Sequence, residues 1–297
     1  LEAGIIGGGA MGLLYAAFLS RRHKITLYTN TEEQAAEINE KGAALLKEGV
    51  PGIHRFQASA QREYKEELLI ITVKQFQLEP VLSVLASLRG RTLLFLQNGM
   101  SHVNALDQLT GHSIYTGTVS HGVSRESLRE IRLNGIGQTV YAPFPEGMNS
   151  RLIQMLDSGD FPFVFQNDWY PVLAQKLLVN ACINPLTGLL NVKNGELVEN
   201  PRYFTMLKQV FEEVFPVLDL EDEHAHWKKV QEICSNTALN TSSMLQDLHN
   251  GRNTEIDSMT GYLLGQADEK GMYLPVTAFL YEAIKGLERD CRRRGKA

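Results

Sequence analysis

The chain has 297 residues, 43% of them hydrophobic and 21% charged, with a formal charge of −5. That length admits one or two domains, and the acidic balance excludes a general nucleic-acid binder, because no excess of Lys and Arg exists to neutralise phosphates. Apolar runs such as residues 68–73 fall short of the ~20 needed to cross a bilayer, so no membrane segment is expected.

The first predicted strand, residues 4–6, runs into Gly7-Gly8-Gly9-Ala10-Met11-Gly12, and an apolar helix over 11–20 follows without a break. This is GxGxxG in a strand–turn–helix context, the pattern of a dinucleotide cradle. Gly7 makes the tight turn, Gly9 lets backbone approach a pyrophosphate, and Gly12 lets the helix pack closely on the strand. Gly8, Ala10 and Met11 complete the loop, whose N–H groups open a helix. The second strand, 24–28, ends in Thr29, Asn30 and Thr31. An acid there would bind the ribose hydroxyls of NAD and repel a 2′-phosphate. None is present, which favours NADPH, although no Arg stands there either. Glu32 and Glu33 read as first-turn residues of a helix over 32–41, where carboxylates suit the dipole.

A strand over 68–73 is followed by Lys74 and by a helix over 78–87. A strand over 92–96 is followed by Gln97-Asn98-Gly99. Polar residues just past strand ends are where ligands of open α/β sheets bind. Further strands are predicted over 113–118 and 138–142, with Gly135, Gly137, Pro143 and Pro145 marking turns. Strand and helix in turn imply right-handed crossovers and a mainly parallel sheet.

After about residue 166 helical periodicity dominates, over 168–184, 200–218, 224–239, 254–270 and 276–289, and Gly251 and Gly271 stop helices. The expected fold is α/β: an N-terminal Rossmann-type dinucleotide-binding domain over 1–166, followed by an all-helical C-terminal domain over 167–297. A ligand is expected in the cleft between them. Exposed apolar faces on the helical half would permit a homodimer. The basic cluster Arg292, Arg293, Arg294 and Lys296 reads as a solvated tail. Cys182, Cys234 and Cys291 form no CxxC and suit a reducing compartment. Leu1-Glu2-Ala3 enters a strand at once without a leader pattern, so a cytoplasmic protein is expected.

In the predicted helix over 168–184, Lys176, Asn180 and Asn184 recur every four residues on an otherwise apolar segment. They share one stripe. It is either a polar seam bonded within the protein, an exposed face, or the wall of a wet pocket that holds a polar ligand. Pro185 predicts that the helix ends or kinks at Asn184. In Asn240-Thr241-Ser242-Ser243-Met244-Leu245-Gln246-Asp247 the Ser and Thr residues suit N-caps, and Thr254 suits the next helix in the same way. His224-Ala225-His226 follows Glu221, Asp222 and Glu223, but side chains two apart on a helix share no face. A solvated helix start is expected there, and no metal site.

The set Gly7–Gly12, Lys74, Gln97-Asn98-Gly99-Met100, Lys176/Asn180/Asn184, Asn194-Gly195-Glu196-Leu197, Ser242 to Asp247 and Thr254-Glu255-Ile256-Asp257 resembles the ketopantoate reductase (2-dehydropantoate 2-reductase) family over nearly the whole chain. The resemblance implies an NADP-dependent oxidoreductase that reduces a small keto acid, 2-dehydropantoate, on the route to pantothenate and coenzyme A. It implies Lys176 as proton donor, and Asn98, Asn180, Asn184, Asn194 and Ser243 as substrate-binding residues. It implies Gly7–Gly12, Lys74, Asn98, Val123 and Glu255 as cofactor-binding residues, with Val123 in a loop that passes the nicotinamide and Glu255 near enough to Lys176 to help keep it charged. His121, in that same loop, is assigned no catalytic role. Asn30 departs from the family, which often carries an Arg near that position. The alternatives are a reductase of another 2-keto acid and a non-enzymatic NADP(H)-sensing regulator, which would not need Lys176.

Overall fold

Apolar runs too short for helices and separated by helical stretches pair side by side, and here they build an eight-stranded sheet. The computed structural model describes residues 1–294. Its strands are β1 (Glu2–Ile6), β2 (Lys24–Tyr28), β3 (Ala43–Lys47), β4 (Val50–His54), β5 (Gln57–Ser59), β6 (Leu68–Ile71), β7 (Thr92–Phe95), β8 (Ser113–Val119), β9 (Gly122–Arg125), β10 (Glu130–Gly135), β11 (Thr139–Phe144) and β12 (Phe163–Phe165). The large sheet runs β12-β11-β8-β7-β6-β1-β2-β5. All its pairs are parallel except β8 with β11. From β1 the chain builds outward to β2 and β5, then returns to add β6, β7 and β8 on the other side. The order reverses between β1 and β6, the switch point beside which α/β sheets bind ligands. β6 and β7 are buried at every residue, which explains their uninterrupted apolar sequence.

A second, four-stranded sheet, β4-β3-β10-β9, was not legible in the sequence. Its members carry Pro51, Gly52, Asn134 and Gly135, which break the alternation that marks a strand. The β3–β4 turn uses Glu48 and Gly49 at φ 52° and 81°. Helix α1 (Ala10–Leu19) packs on β1 and β2 and also on β3, β9 and β10 of the second sheet. Enclosure on both sides is why it is apolar all round instead of amphipathic. Helix α2 (Glu32–Lys41) buries Ala35 and Ile38 in the same core as Leu13, Leu14, Ile25 and Leu27. Short helices α3 (Glu79–Leu85), α4 (Val103–Leu106) and α5 (Arg151–Gln154) complete this half.

The remaining helices are α6 (Trp169–Leu190), α7 (Glu196–Glu199), α8 (Pro201–Val214), α9 (Glu223–Asn236), α10 (Ser243–His249), α11 (Tyr262–Glu269) and α12 (Pro275–Arg294). Two compact units result, Leu1–Gln97 with His102–Val172, and Asn98–Ser101 with Leu173–Ala297. The sequence reading placed the change at 166/167; the units divide at 172/173, inside the first turn of α6. Arg292–Arg294 end α12, and Lys296 of the basic cluster lies outside the described residues.

Two expectations about the helices are corrected. α6 does not stop at Asn184 but runs through Pro185 to Leu190. Proline removes a backbone donor and leaves the carbonyl one turn back, that of Ala181, without its helical partner. Ile183, Asn184, Pro185, Leu186 and Thr187 are all buried, and packing of this segment holds the helix through the proline. The helix expected over 254–270 begins instead with a π-helical turn, Asp257–Gly261, before α11. Within the second unit a Cβ on Gly188 of α6 would meet Ile284 of α12 at 3.1 Å and Leu248 of α10 at 3.3 Å, so these three helices pack closely. Glu213 of α8 accepts from the backbone N–H groups of Val276 and Thr277, at 2.9 and 2.8 Å, and so caps α12.

Candidate functional site

The glycine loop is held by its carbonyls. Gly7, at φ 121°, donates its N–H to Tyr28 O at 2.9 Å. Thr72 Oγ1 lies 3.1 Å from both Ile6 O and Gly7 O, Gln34 Nε2 donates to Gly8 O at 2.7 Å, and Gly9 O accepts from Leu13 at 3.0 Å. With the carbonyls turned inward, the N–H groups of the loop and of the first turn of α1 face outward, and Gly9 provides no side-chain cap for them. A Cβ on Gly12 would fall 1.8 Å from Gly7 O, whereas one on Gly9 would have nothing within 4 Å. Gly12 is therefore a packing glycine, and Gly9 is the open wall of a cradle that an anion can approach. These residues fit a dinucleotide pyrophosphate.

Around the loop, Thr29 donates its hydroxyl to Thr31 O at 2.9 Å, and Thr31 Oγ1 accepts from Gln34 N at 3.3 Å as the N-cap of α2. Two of the three neutral residues at the β2 tip are thus used by the loop itself, and the exposed Asn30 side chain makes no hydrogen bond among the described residues. Lys74 follows β6, half-buried, before a 3₁₀ turn. Gln97 donates to Ile71 O and Val73 O, both at 3.0 Å, which fixes the end of β6, while its Oε1 is buried without a partner. Val123 pairs with Leu133 and packs, like Met11, against the core. His121 accepts from Gly137 N at 3.1 Å through Nδ1 and stacks on Phe161 at 4.4 Å. Burial pushes its pKa down to about 4, so the ring is neutral at neutral pH and carries no proton to give from Nδ1.

In the second unit, Lys176, Asn180 and Asn184 lie along one stripe of α6. Lys176 and Asn180 are half-buried, and Asn184 is 7% exposed. None of the three side chains has a hydrogen-bond or ion-pair partner among the described residues. Burial lowers the pKa of Lys176 below its usual 10.5. Asn194 donates to Thr237 Oγ1 at 2.9 Å and leaves its Oδ1 buried and unpaired. Of the serine pair, Ser242 is the N-cap of α10, accepting from Leu245 N at 3.2 Å and from Thr187 at 2.7 Å. Ser243 is left exposed on the first turn.

Asn98 donates to Glu255 Oε2 at 2.9 Å. Its carbonyl accepts from Ser258 Oγ at 3.1 Å, and Met100 N donates to Ser258 O at 3.1 Å. Gly99, at φ 82°, would place a Cβ 2.0 Å from Ser258 O, so only glycine allows this approach. The π-helical turn thus clamps the segment that carries Asn98. This corrects one expectation: Glu255 is engaged by Asn98, and the cause that shifts Lys176 is burial, with no carboxylate raising it.

The description "Ketopantoate reductase PanE/ApbA" matches residues 3–146, and "Ketopantoate reductase PanE/ApbA C terminal" matches residues 168–288. The 2-dehydropantoate 2-reductase of Bacillus subtilis is 43% identical over 99% of this chain and 99% of its own length. The chain belongs to the ketopantoate reductase family. The 2-dehydropantoate 2-reductase of Listeria innocua is 40% identical, with 97% of each chain covered. Among solved structures, a D-mandelate dehydrogenase with NADH and anilino(oxo)acetate superposes with a TM-score of 0.89 at 24% identity, covering 98% of this chain and 99% of that one, a likeness of fold.

Beyond the residues expected from sequence, this ketopantoate reductase family member has supporting residues that sequence reasoning missed: Thr72, Gln34, Thr237 and Ser258. The one visible signal was polarity at buried positions. Gln34 falls on the face of α2 that also buries Ala35 and Ile38, and Thr72 ends an apolar run.

Proposed function

We propose that the protein reduces 2-dehydropantoate to pantoate with NADPH, on the route to pantothenate and coenzyme A, with residues 1–166 serving the cofactor and 167–297 the substrate. The observation that carries this reading is the Lys176–Asn180–Asn184 stripe: one ammonium and two amides, half-buried or buried, without partners among the described residues. Leaving such groups unpaired costs roughly 1–3 kcal/mol each, which a polar, anionic ligand offsets. Gly8, Gly9, Ala10, Met11 and Gly12 would hold the pyrophosphate through backbone N–H groups, with Gly7 making the turn that presents them, and Lys74, Asn98, Val123 and Glu255 would contact the rest of the cofactor.

When bound, a nicotinamide would supply the hydride that reduces the C2 carbonyl of the keto acid. Negative charge builds on the carbonyl oxygen as that bond forms. Lys176 Nζ stabilises this oxyanion and gives it a proton. Asn180, Asn184, Asn194 and Ser243 hold the hydroxyl and carboxylate of the substrate, so that the carbonyl stays oriented. Asn194 Oδ1 is suited to accept from a substrate hydroxyl. NADPH is favoured over NADH by the absence of an acid at the β2 tip, where Asn30 is an exposed neutral side chain. Steady-state turnover of 2-dehydropantoate with NADPH and with NADH tests the reading: faster turnover with NADPH is expected, and no turnover with either overturns it.

A further inference from the structure

The three glycines Gly7, Gly8 and Gly9 do different things, and the middle one leads to a residue outside the motif. Gly8 has no positive φ, so its backbone would accept any side chain. The obstacle is steric: a Cβ there would fall 2.5 Å from Gln34 Oε1 and 2.8 Å from both Cδ and Nε2. The amide of Gln34 lies flat against the Gly8 Cα. It is 4% exposed, and its Nε2 donates at 2.7 Å to Gly8 O and at 2.7 Å to Leu128 O. Leu128 belongs to the β9–β10 turn, and β9 carries Val123.

We infer that Gln34 is a positioning residue for cofactor binding, whose two amide hydrogens fix the Gly8 peptide of the phosphate loop and tie it to the β9–β10 hairpin. The inference rests on the reading of the glycine loop as a dinucleotide cradle. With Gly8 O drawn inward, the next peptide N–H groups point out of the loop. Without the donor, Gly8 O and Leu128 O lose a buried partner, and the loop and hairpin are no longer held to one another. Gln34 is too buried to contact the ligand itself, so its effect belongs to the cofactor alone.

The test measures NADPH dissociation by fluorescence titration on the full-length protein, with melting curves to establish that each variant is folded. Gln34→Leu, similar in volume and without donors, is expected to weaken NADPH binding about tenfold, while the KM of the keto acid and kcat at saturating NADPH stay within about twofold. Gln34→Asn keeps an amide that is one methylene too short to span both carbonyls, and it should shift binding in the same direction. Gly8→Ala displaces the amide and should also weaken binding about tenfold. Because both changes remove one brace, the Gly8→Ala/Gln34→Ala pair should be no weaker than the poorer single variant. Unchanged NADPH binding in folded Gln34→Leu, or an additive hundredfold loss in the pair, overturns the inference. A wild-type protein that binds neither NADPH nor NADH overturns the function reading along with it.

Discussion

In the proposed function the phosphate loop and the α6 stripe would meet their ligands in opposite ways. In the loop, recognition is left to backbone N–H groups, and the nearby side chains of Thr72, Gln34, Thr29 and Thr31 are occupied in holding that backbone. On the stripe the backbone is occupied by the helix, and the side chains of Lys176, Asn180 and Asn184 are unoccupied. A diphosphate is common to every dinucleotide, and a set of fixed N–H groups suits it without reading its identity. A small keto acid must be distinguished and turned over, which needs a proton donor and amides at defined places. The scaffold bears the cost of each arrangement differently: cross-bracing in the loop, and desolvated unpaired groups on the helix.

The division is testable by making each region fail on its own. The largest effect is expected from Lys176→Ala, which should lower kcat by about 10²–10⁴-fold and leave NADPH binding in fluorescence titrations unchanged. Wild-type turnover in that variant would remove the proton-donor assignment. Gly9→Val, where a Cβ meets no protein atom within 4 Å, should spare the melting temperature yet weaken NADPH binding by roughly tenfold to a hundredfold, as overpacking of about 1–3 kcal/mol implies. Asn184→Ala should raise the KM of the keto acid by about tenfold with little change in kcat or in the KM of NADPH. A change confined to the NADPH constant would blur the two regions.

The pH profile sharpens the same contrast. The proposed donor is the ammonium of Lys176, whose pKa is lowered by burial from 10.5. Reduction is therefore full below that pKa and falls as pH rises through it, at an ionisation below 10.5, and the limb should vanish in Lys176→Ala. Nucleotide binding through backbone N–H groups should show no such limb. The smallest effect is structural: Ser242→Ala removes the α10 cap next to Ser243 and should lower stability by about 1 kcal/mol, read as a modest fall in melting temperature.

The glycine loop and the α6 stripe were legible because each depends on spacing along one element. GxGxxG after a strand fixes a turn, and a four-residue repeat fixes a helix face, whatever the rest of the chain does. Six of the eight strands of the large sheet were legible for a similar reason, since they form apolar runs, whereas the three-residue strands β5 and β12 were too short to read. The second sheet was not, because its strands contain Gly, Pro and Asn and gain their stability from packing on α1 and on one another. Continuation of α6 through Pro185 depended on burial of the segment around it, which local propensity does not weigh.

By itself the sequence determined that a dinucleotide cradle, an α/β half and a helical half are present, because local pattern and chain order dictate these. Tertiary structure decided which polar residues are occupied and which are left open. Ser242 and Ser243 are neighbours of the same type, yet Ser242 caps a helix and is buried while Ser243 stays exposed. It also decided that Glu255 meets Asn98, 157 positions away, without raising the pKa of Lys176. Hydrogen-bond partners are set by where the backbone brings distant segments, and no spacing along the chain encodes that.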